Sequence, residues 1–514
     1  MKREDIQAIY DKGLDAVVAL VAAFEQIFQQ QALQIAALTE RVKQLKSQIK
    51  TNSRGNSKPP SSDGLKRTKS LRKKTGKKSS AQKGHPGHTL EMVDHPDKVE
   101  LHRVTRCRCC GASLTGKPSE SVERRQVVDT PPLKLETTEH RAEQKTCHIC
   151  GAVNKADFPD GVNQPAQYGP RIKALASYMN QYQLIPYDRV EEFFKDLFGQ
   201  PLSEGSLFTA NQVLYESLAG FEQETKRRIL SEPVINCDET GARVEGKNHW
   251  LHVASKPELT FYGIHQKRGS DAMDEMAILP FYSGIAKHDC LYAYFKYKGC
   301  NHSLCNAHHL RELTWVIENL NQVWAQQMYD LLLDAKAAVD EAKENSKTSL
   351  ELEQLTGFLS RYSSVIALGY EENPFFEAWP PPKGKRGKPK KTKLRNLLER
   401  LDKYQTETLN FMFDFRIPMD NNLAERCLRP GALGRKSYYG THSEWSGRLL
   451  ASSMSVLQTA EKHNLNSLAY LRYYLDACAR SGGPPPDLER FLPWNIPAEI
   501  IREYGMRSGR EHPG

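Results

Sequence analysis

Nowhere does the sequence run for the roughly 18 consecutive apolar residues that a membrane-crossing helix requires, so no membrane span is expected. Cysteine is scarce: eleven residues in 514, an odd number, do not make the dense paired framework of a small secreted domain. A secretory leader is not expected either. Met1-Lys2-Arg3 and the apolar Leu14 to Phe24 imitate one, but Asp5, Asp11 and Asp15 interrupt the pattern and no small-residue cleavage site follows. These absences point to a reducing, cytoplasmic compartment. Acid is nearly absent from two stretches. Residues 51 to 90 hold eleven Lys/Arg against Asp63 alone, and Lys383 to Lys393 holds seven Lys/Arg and no acid. The first stretch alone matches the whole net charge of +10, so positive charge is concentrated, as suits a polyanionic partner or a solvated linker.

What is present divides the chain into pieces, and its length allows roughly three to four domains. Residues 1–50 read as a coiled coil. Leu14, Val21, Phe28, Ile35, Val42 and Ile49 occupy one seam position, and Val17, Phe24, Gln31, Leu38 and Leu45 the other, with Gln31 the one polar member. Self-association of the chain through this coil is expected. Residues 51–95 read as a disordered basic linker, too poor in apolar groups to offset chain entropy. Its Lys73, Lys74, Lys77 and Lys78 are candidate phosphate contacts, with affinity that would fall steeply with salt.

Residues 96–165 read as a zinc ribbon. Cys107-Arg108-Cys109-Cys110-Gly111 and Cys147-His148-Ile149-Cys150-Gly151 are two C-x-x-C-G knuckles, in which a tight turn aims both sulfurs inward and glycine relieves the turn. Cys107, Cys110, Cys147 and Cys150 are the candidate ligands of a structural Zn²⁺, Cys109 is surplus, and strand-like pieces at Val127-Val128 and Leu133 to Leu135 fit between them. Residues 166–230 read as a helical segment of DNA-binding type or a packing unit, with Ser203 as an N-cap. Residues 231–309 alternate into strands, with hairpin turns at Gly246-Lys247-Asn248 and Lys256-Pro257-Glu258. Residues 310–415 read as a helical insertion interrupted by the Pro/Lys tract, 416–480 as further helices, and the Pro-rich 481–514 as a peripheral tail.

Three acids stand out. Asp238 lies on the first strand in SEPVINCDETGA, Asp289 ends a later strand, and Glu425 begins a helix in MDNNLAER. Transfer of a phosphodiester calls for stabilised charge on both the attacking and the leaving oxygen, and two Mg²⁺ ions held by hard carboxylate oxygens supply it. In an RNase H-like sheet the first and fourth strands are neighbours, so Asp238 and Asp289 would lie side by side with Glu425 brought across by a helix. Successive strand residues face opposite ways, which favours Asp238 over its rival Glu239. Asn422-x-x-Glu425 is also a capping-box pattern. Arg426 and Arg429 follow Glu425 as phosphate holders or exposed surface charges. Cys305-x-x-His308 has metal-ligand spacing, without a second pair to match it.

In that order the motifs resemble the insertion-sequence-66 family of transposases. The resemblance rests on the N-terminal coil, SKPPSSDGL (Ser57 to Leu65), GHPGHTL (Gly84 to Leu90), both knuckles, LIPYDRV, LFGQPLS, CDET, KHDCLYAY, CNAHHLREL and NNLAERCLRP with the later TAEKHNLN. Lys287-His288 before the second aspartate and Pro430 behind the glutamate depart from it. The resemblance implies a multidomain α+β protein: coiled coil, zinc ribbon, RNase H-like α/β catalytic core with a helical insertion, and C-terminal helices. It implies a DDE transposase that cuts at element ends and joins them to target DNA with Asp238, Asp289 and Glu425, as a bacterial, nucleoid-associated protein acting beside small accessory proteins. The competing expectation is a DNA-end-binding zinc-ribbon scaffold derived from a transposase and without catalysis.

Overall fold

A computed structural model describes residues 3–49, 90–374, 391–437 and 440–506. The basic linker with Lys73, Lys74, Lys77 and Lys78, the Pro/Lys tract up to Lys390, and the final eight residues lie outside the described residues. The chain forms two units: residues 69–140 with 193–201, and the remainder.

In the smaller unit, residues 90–140 contain no regular helix or strand among the described residues. The strands expected at Val127-Val128 and Leu133 to Leu135 do not form. Val127 and Val128 are exposed, and a strand with neither a partner nor a buried face has nothing to stabilise it. What orders this stretch is local. Gln126 exchanges two hydrogen bonds of 2.7 Å with the backbone of Val93, and the first knuckle closes on itself. The Cys107 N–H donates to the Ala112 carbonyl at 2.9 Å, and the Gly111 N–H to the Cys107 carbonyl at 3.0 Å. The second knuckle, in the larger unit, repeats this with Cys147 to Ala152 at 2.8 Å and Gly151 to Cys147 at 2.9 Å. Gly111 and Gly151 both have φ of +72°, which an L side chain rarely adopts. A short hairpin, β1 (Gln144–Thr146) and β2 (Val153–Lys155), flanks the second knuckle.

The larger unit begins with helices α1 (Arg3–Tyr10) and α2 (Leu14–Ile49). Within α2, Leu14–Ile35 is long and apolar enough to cross a membrane by length and composition. The expected lack of an unbroken apolar run of that length holds, since Asp15 and Glu25 interrupt it and only the average is apolar. Seam side chains Leu14, Val21, Phe24, Phe28, Ile35, Leu38 and Val42 are all exposed.

Helices α3 (Pro170–Ser177), α4 (Tyr187–Phe198), α5 (Glu204–Ser217) and α6 (Ala219–Leu230) follow. Ser203 caps α5 as expected, its side chain accepting from the Ser206 N–H at 3.3 Å. α5 buries Leu207, Ala210, Asn211, Leu214 and Ser217, so much of its surface serves packing.

The central sheet holds β3 (Val234–Val244), β4 (Lys247–Ser255), β5 (Thr260–His265), β6 (Ile285–His288) and β7 (Asn301–Leu304), with α7 (Ser270–Met276) between β5 and β6. Its order is β5-β4-β3-β6-β7. β3, β4 and β5 are antiparallel, whereas β6 runs parallel to β3, and β7 to β6. After β7 come α8 (Asn306–Leu320), α9 (Val323–Glu344), α10 (Leu352–Glu372), α11 (Lys393–Lys403) and α12 (Gln405–Leu409), around a core of Trp324, Leu331, Tyr362, Leu398 and Phe411. Next come α13 (Asn422–Ser437), which runs through Pro430, α14 (Glu444–Lys462) and α15 (Ser467–Arg480). One sheet face packs Leu251, Val253 and Tyr262 on α13 and α14, and the other packs Cys237, Ala254 and Phe261 on Met273, Ile278 and Tyr294.

β5 is an edge strand, and edge N–H groups need partners. The hydroxyls of α14 supply them: Tyr262 N–H donates to Ser455 Oγ at 2.8 Å, and Thr260 N–H to Thr459 Oγ1 at 3.1 Å. These contacts account for Ser455 and Thr459 in the segment ASSMSVLQTA.

The stretch after Gly482 is not peripheral. Leu492 and Met506 are buried with Leu471 and Tyr474, and α16 (Ala498–Glu503) lies between them in sequence. Pro and Gly mark turns there, but the apolar residues between the turns fill the core. Leu492→Ala should therefore cost about 2–4 kcal/mol in urea unfolding, where a peripheral tail would show no change.

Candidate active site

The pairing of β3 with β6 covers Val234 to Asn236 and then stops. Beyond Asn236 no strand pairs with that edge of β3, and Thr441 bridges it again only at Val244, while the chain leaves β6 at Asp289. Asp238 sits opposite Val253, on the α13 face, and Glu239 opposite His252, on the other face. The alternation rule holds for the backbone. It does not hold for the reach of the side chains: carboxylate oxygens of Asp238, Glu239 and Asp289 lie within 4.8 Å of one another around the open edge. The expected separation of Asp238 from Glu239 is thus corrected, since a missing neighbour strand lets both faces reach one place.

Each acid is held. Asp238 Oδ1 accepts the Glu239 N–H at 2.8 Å, and Asp289 Oδ1 accepts the Leu291 N–H at 3.0 Å. Glu239, fully buried, takes Arg268 Nε on Oε1 at 2.7 Å and the Tyr294 hydroxyl on Oε2 at 2.8 Å. Arg268 also stands 3.7 Å from Asp289 and stacks on Trp250.

Glu425 belongs to a neighbouring group. One ligand atom each from Cys305, His308 and Glu425 lies within 4.8 Å of the others; Asp238, Asp289 and Glu425 do not form such a group. Glu425 Oε2 meets Arg311 Nη2 at 3.3 Å, and Oε1 lies 3.7 Å from His308 Nδ1 and 4.0 Å from Cys305 Sγ. Cys305 is the N-cap residue of α8, and His308 and Arg311 follow at helical spacing. The Glu425 carboxylate therefore turns toward α8. At the start of α13 the Asn421 carbonyl accepts the Glu425 N–H at 3.1 Å, and Asp420 Oδ1, one residue before, accepts the Asn422 N–H at 3.0 Å. Arg426 and Arg429 are exposed on α13 while Ala424, Cys427 and Leu428 face the sheet.

A buried amide places α13. Asn421 Nδ2 donates to the Cys237 carbonyl at 2.8 Å, its Oδ1 accepts Asn236 Nδ2 at 2.8 Å, and its N–H donates to Cys305 Sγ at 3.2 Å. Lys287, fully buried, ties β6 to β7 by donating to Ser303 Oγ at 3.0 Å and the Leu304 carbonyl at 2.9 Å, and burial pushes it down to about 8. His288 is driven to about 3 by burial, so it is a neutral ring, stacked 4.3 Å from Tyr294 and hydrogen-bonded to His302. The unexpected Lys287-His288 pair thus braces the strand that carries Asp289. Glu239, Arg268, Tyr294 and Asn421 were not chosen from the sequence. Only Glu239 left a signal there, as the neighbour of Asp238.

Crowding shows in the acid strengths. Burial pushes the Asp238 carboxyl well above its usual range, Glu239 and Asp289 add repulsion, and the Glu239 N–H and His308 offset only part. Burial and then Asp289 raise Glu239 to about 7 despite Arg268 and Tyr294. His308 goes to about 9, because Cys305 and Glu425 outweigh its burial.

A strand end that gathers three acids with too few cations defines a carboxylate centre of the class that holds hard divalent ions. Sequence comparison carries this further. The family model "Transposase IS66 family" matches residues 165–449, more than half of the chain, and the chain belongs to that family. Residues 14–91 match a family of unknown function (DUF6444). Two proteins of Sinorhizobium fredii (strain NBRC 101917 / NGR234) are similar to it. Uncharacterized protein y4hP is 24% identical over 447 residues, 78% of this chain and 76% of its own length. Uncharacterized protein y4qI is 33% identical over 128 residues, 24% of this chain and 23% of its own. Membership implies a part in transposition, with DNA as partner and a divalent metal as the usual cofactor.

Two predictions follow from the acids and the amide. A raised carboxyl keeps its proton in the folded chain while the unfolded chain releases it. Stability from Glu239 therefore declines as pH rises from about 4.5 to about 7, and the loss is complete above that. Mg²⁺ should raise Tm by about 2–4 °C more at pH 8 than at pH 5, for each kcal/mol of relief, in scanning calorimetry; equal shifts would contradict it. Asn421→Ala, which strands buried partners on β3, should cost about 1–3 kcal/mol in urea unfolding.

Proposed function

We propose that the chain is a DDE transposase that cleaves DNA at insertion-sequence ends and transfers the freed strand into target DNA. The observation that carries this is the meeting of Asp238 and Asp289 where β6 ends. The sheet supports an RNase H-like core: counted from β3, its order is 3-2-1-4-5, with the first three strands antiparallel and the last two parallel. Glu425 enters from a helix beyond an insertion with its own core, as such a catalytic block requires.

The donors fit a hard ion, being carboxylate oxygens crowded beyond the positive charge available to them. When bound, two Mg²⁺ ions would supply charge stabilisation at the attacking and leaving oxygens. Asp238 and Asp289 hold that charge at the strand ends. Glu425 completes the set once its carboxylate leaves Arg311 and His308. His308 favours the ionised form of Asp238, so the two groups adjoin electrostatically. Arg268, beside both, offsets part of the repulsion between Glu239 and Asp289. Arg426 and Arg429, exposed on the glutamate helix, grip backbone phosphates, and Lys73, Lys74, Lys77 and Lys78 add salt-sensitive contacts.

Zn²⁺ suits the knuckles. Backbone hydrogen bonds within each turn push the Cys107 and Cys147 thiols down, toward the ligating thiolate. Cys107 with Cys110, and Cys147 with Cys150, are each a thiol pair of the kind that a structural Zn²⁺ takes. The exposed apolar seam of α2 pairs protomers so that two element ends are handled together. Residence with bacterial DNA in the cytoplasm follows from this reading, as does cooperation with small accessory proteins.

The rival reading, a DNA-end-binding scaffold without catalysis, is favoured by one observation: Glu425 is engaged by Arg311 rather than by the acids. Asp238→Asn and Glu425→Gln decide between them. Mg²⁺-dependent strand transfer of element-end DNA should fall at least about a hundredfold, while DNA binding in chelator stays unchanged. Full activity in either variant, or none in the parent with any divalent ion, would overturn the catalytic reading. Cys107→Ser should lower the zinc content by one equivalent in elemental analysis.

A further inference from the structure

The cluster at the start of α8 has no part in the proposed chemistry except that it holds Glu425. Its geometry is close to that of a coordination shell. In tetrahedral zinc the metal lies about 2.3 Å from sulfur and about 2.0–2.2 Å from nitrogen or oxygen, which sets ligand-to-ligand edges of about 3.4–3.6 Å. Here Glu425 Oε1 is 3.7 Å from His308 Nδ1 and 4.0 Å from Cys305 Sγ. Closing those edges takes a few tenths of an ångström.

The surroundings are those of a ligand shell as well. His308 Nδ1 is buried and makes no hydrogen bond of normal geometry. Cys305 Sγ, buried, receives the Asn421 N–H at 3.2 Å, a donor that favours thiolate. Arg311 binds the other oxygen of Glu425, Oε2, at 3.3 Å, so it orients the carboxylate while leaving Oε1 free. Cys305 and His308 are one turn apart at the helix start, and Asn421 fixes the third ligand's helix against them.

We propose that Cys305, His308 and Glu425 form a second metal site, for a borderline divalent ion of the Zn²⁺ class, with its fourth position open. One soft thiolate and one imidazole select such an ion over Mg²⁺, whereas Asp238, Glu239 and Asp289 select the reverse. Glu425 is common to this site and to the proposed Mg²⁺ set, so its carboxylate serves one or the other at a time; the site itself depends neither on catalysis nor on what the knuckles bind.

The test uses the full chain and Co²⁺ as a zinc surrogate with a visible spectrum. Wild type, Cys305→Ser, His308→Gln and Glu425→Gln are titrated with Co²⁺, and zinc content is measured after exchange. Wild type should hold one equivalent more than Cys305→Ser or His308→Gln, whatever the knuckles hold. Cys305→Ser should lose part of the thiolate-to-cobalt charge-transfer absorption. Glu425→Gln should keep that band but weaken Co²⁺ binding by at least about tenfold. Circular dichroism identifies any variant that fails to fold, and the remaining two then carry the comparison. Equal metal content and identical cobalt spectra in wild type and the folded variants would overturn the proposal.

Discussion

The arrangement depends on one buried amide more than on any ion pair. Asn421 joins three distant segments: it donates to the Cys237 carbonyl, accepts from Asn236 and sends its N–H to Cys305. A polar group this deeply buried is tolerated only when its hydrogen-bonding capacity is met, and here it is met by partners that must all be in register. Shift α13 by one residue and a donor and an acceptor are both stranded. Hydrophobic packing alone, being non-directional, would let the helix slide along the sheet. The amide makes its position discrete, and with it the position of Glu425 four residues on.

Around that fixed point two chemistries are kept apart. The sheet edge holds carboxylates and an arginine; the start of α8 holds a thiol and an imidazole beside Glu425. Hard ligands are thus separated from softer ones by the end of a strand. The buried, neutral His288 and the buried Lys287 sit just behind this division and add no acid to either side. Their role is to hold β6 rigid up to the residue at which it stops pairing.

The broad plan was legible in the sequence because it depends on periodicity and punctuation. Strand alternation from Val234 to Ile264, the N-cap at Ser203 and the helices α8 to α12 are all local patterns, and all appear. The pairing of the first strand with the fourth is not local; it was reached through fold analogy and appears as β3 beside β6. What escaped was whatever depends on where pairing stops. Nothing in CDET says that β6 will end opposite Asn236, so nothing says that Glu239 will reach Asp289. Likewise the direction of the Glu425 side chain depends on Arg311 and His308, more than a hundred positions away, while the capping-box pattern is written in four adjacent letters. The tail misled for the opposite reason: Pro and Gly announce turns, and whether the apolar residues between them are buried is decided by distant helices.

The hydroxyls that α14 lends to β5 have a consequence in time. β5 is synthesised by His265, but Ser455 and Thr459 emerge roughly 190 residues later. At about 5–20 residues per second that is about 10–40 s during which the strand's outer N–H groups have no intramolecular partner. For that interval the growing chain carries a β-edge that α14 does not yet cover. A ribosome stalled within the insertion would release a sheet able to recruit a neighbour's strand. The cover of the β5 edge is thus among the last parts of the sheet to be synthesised.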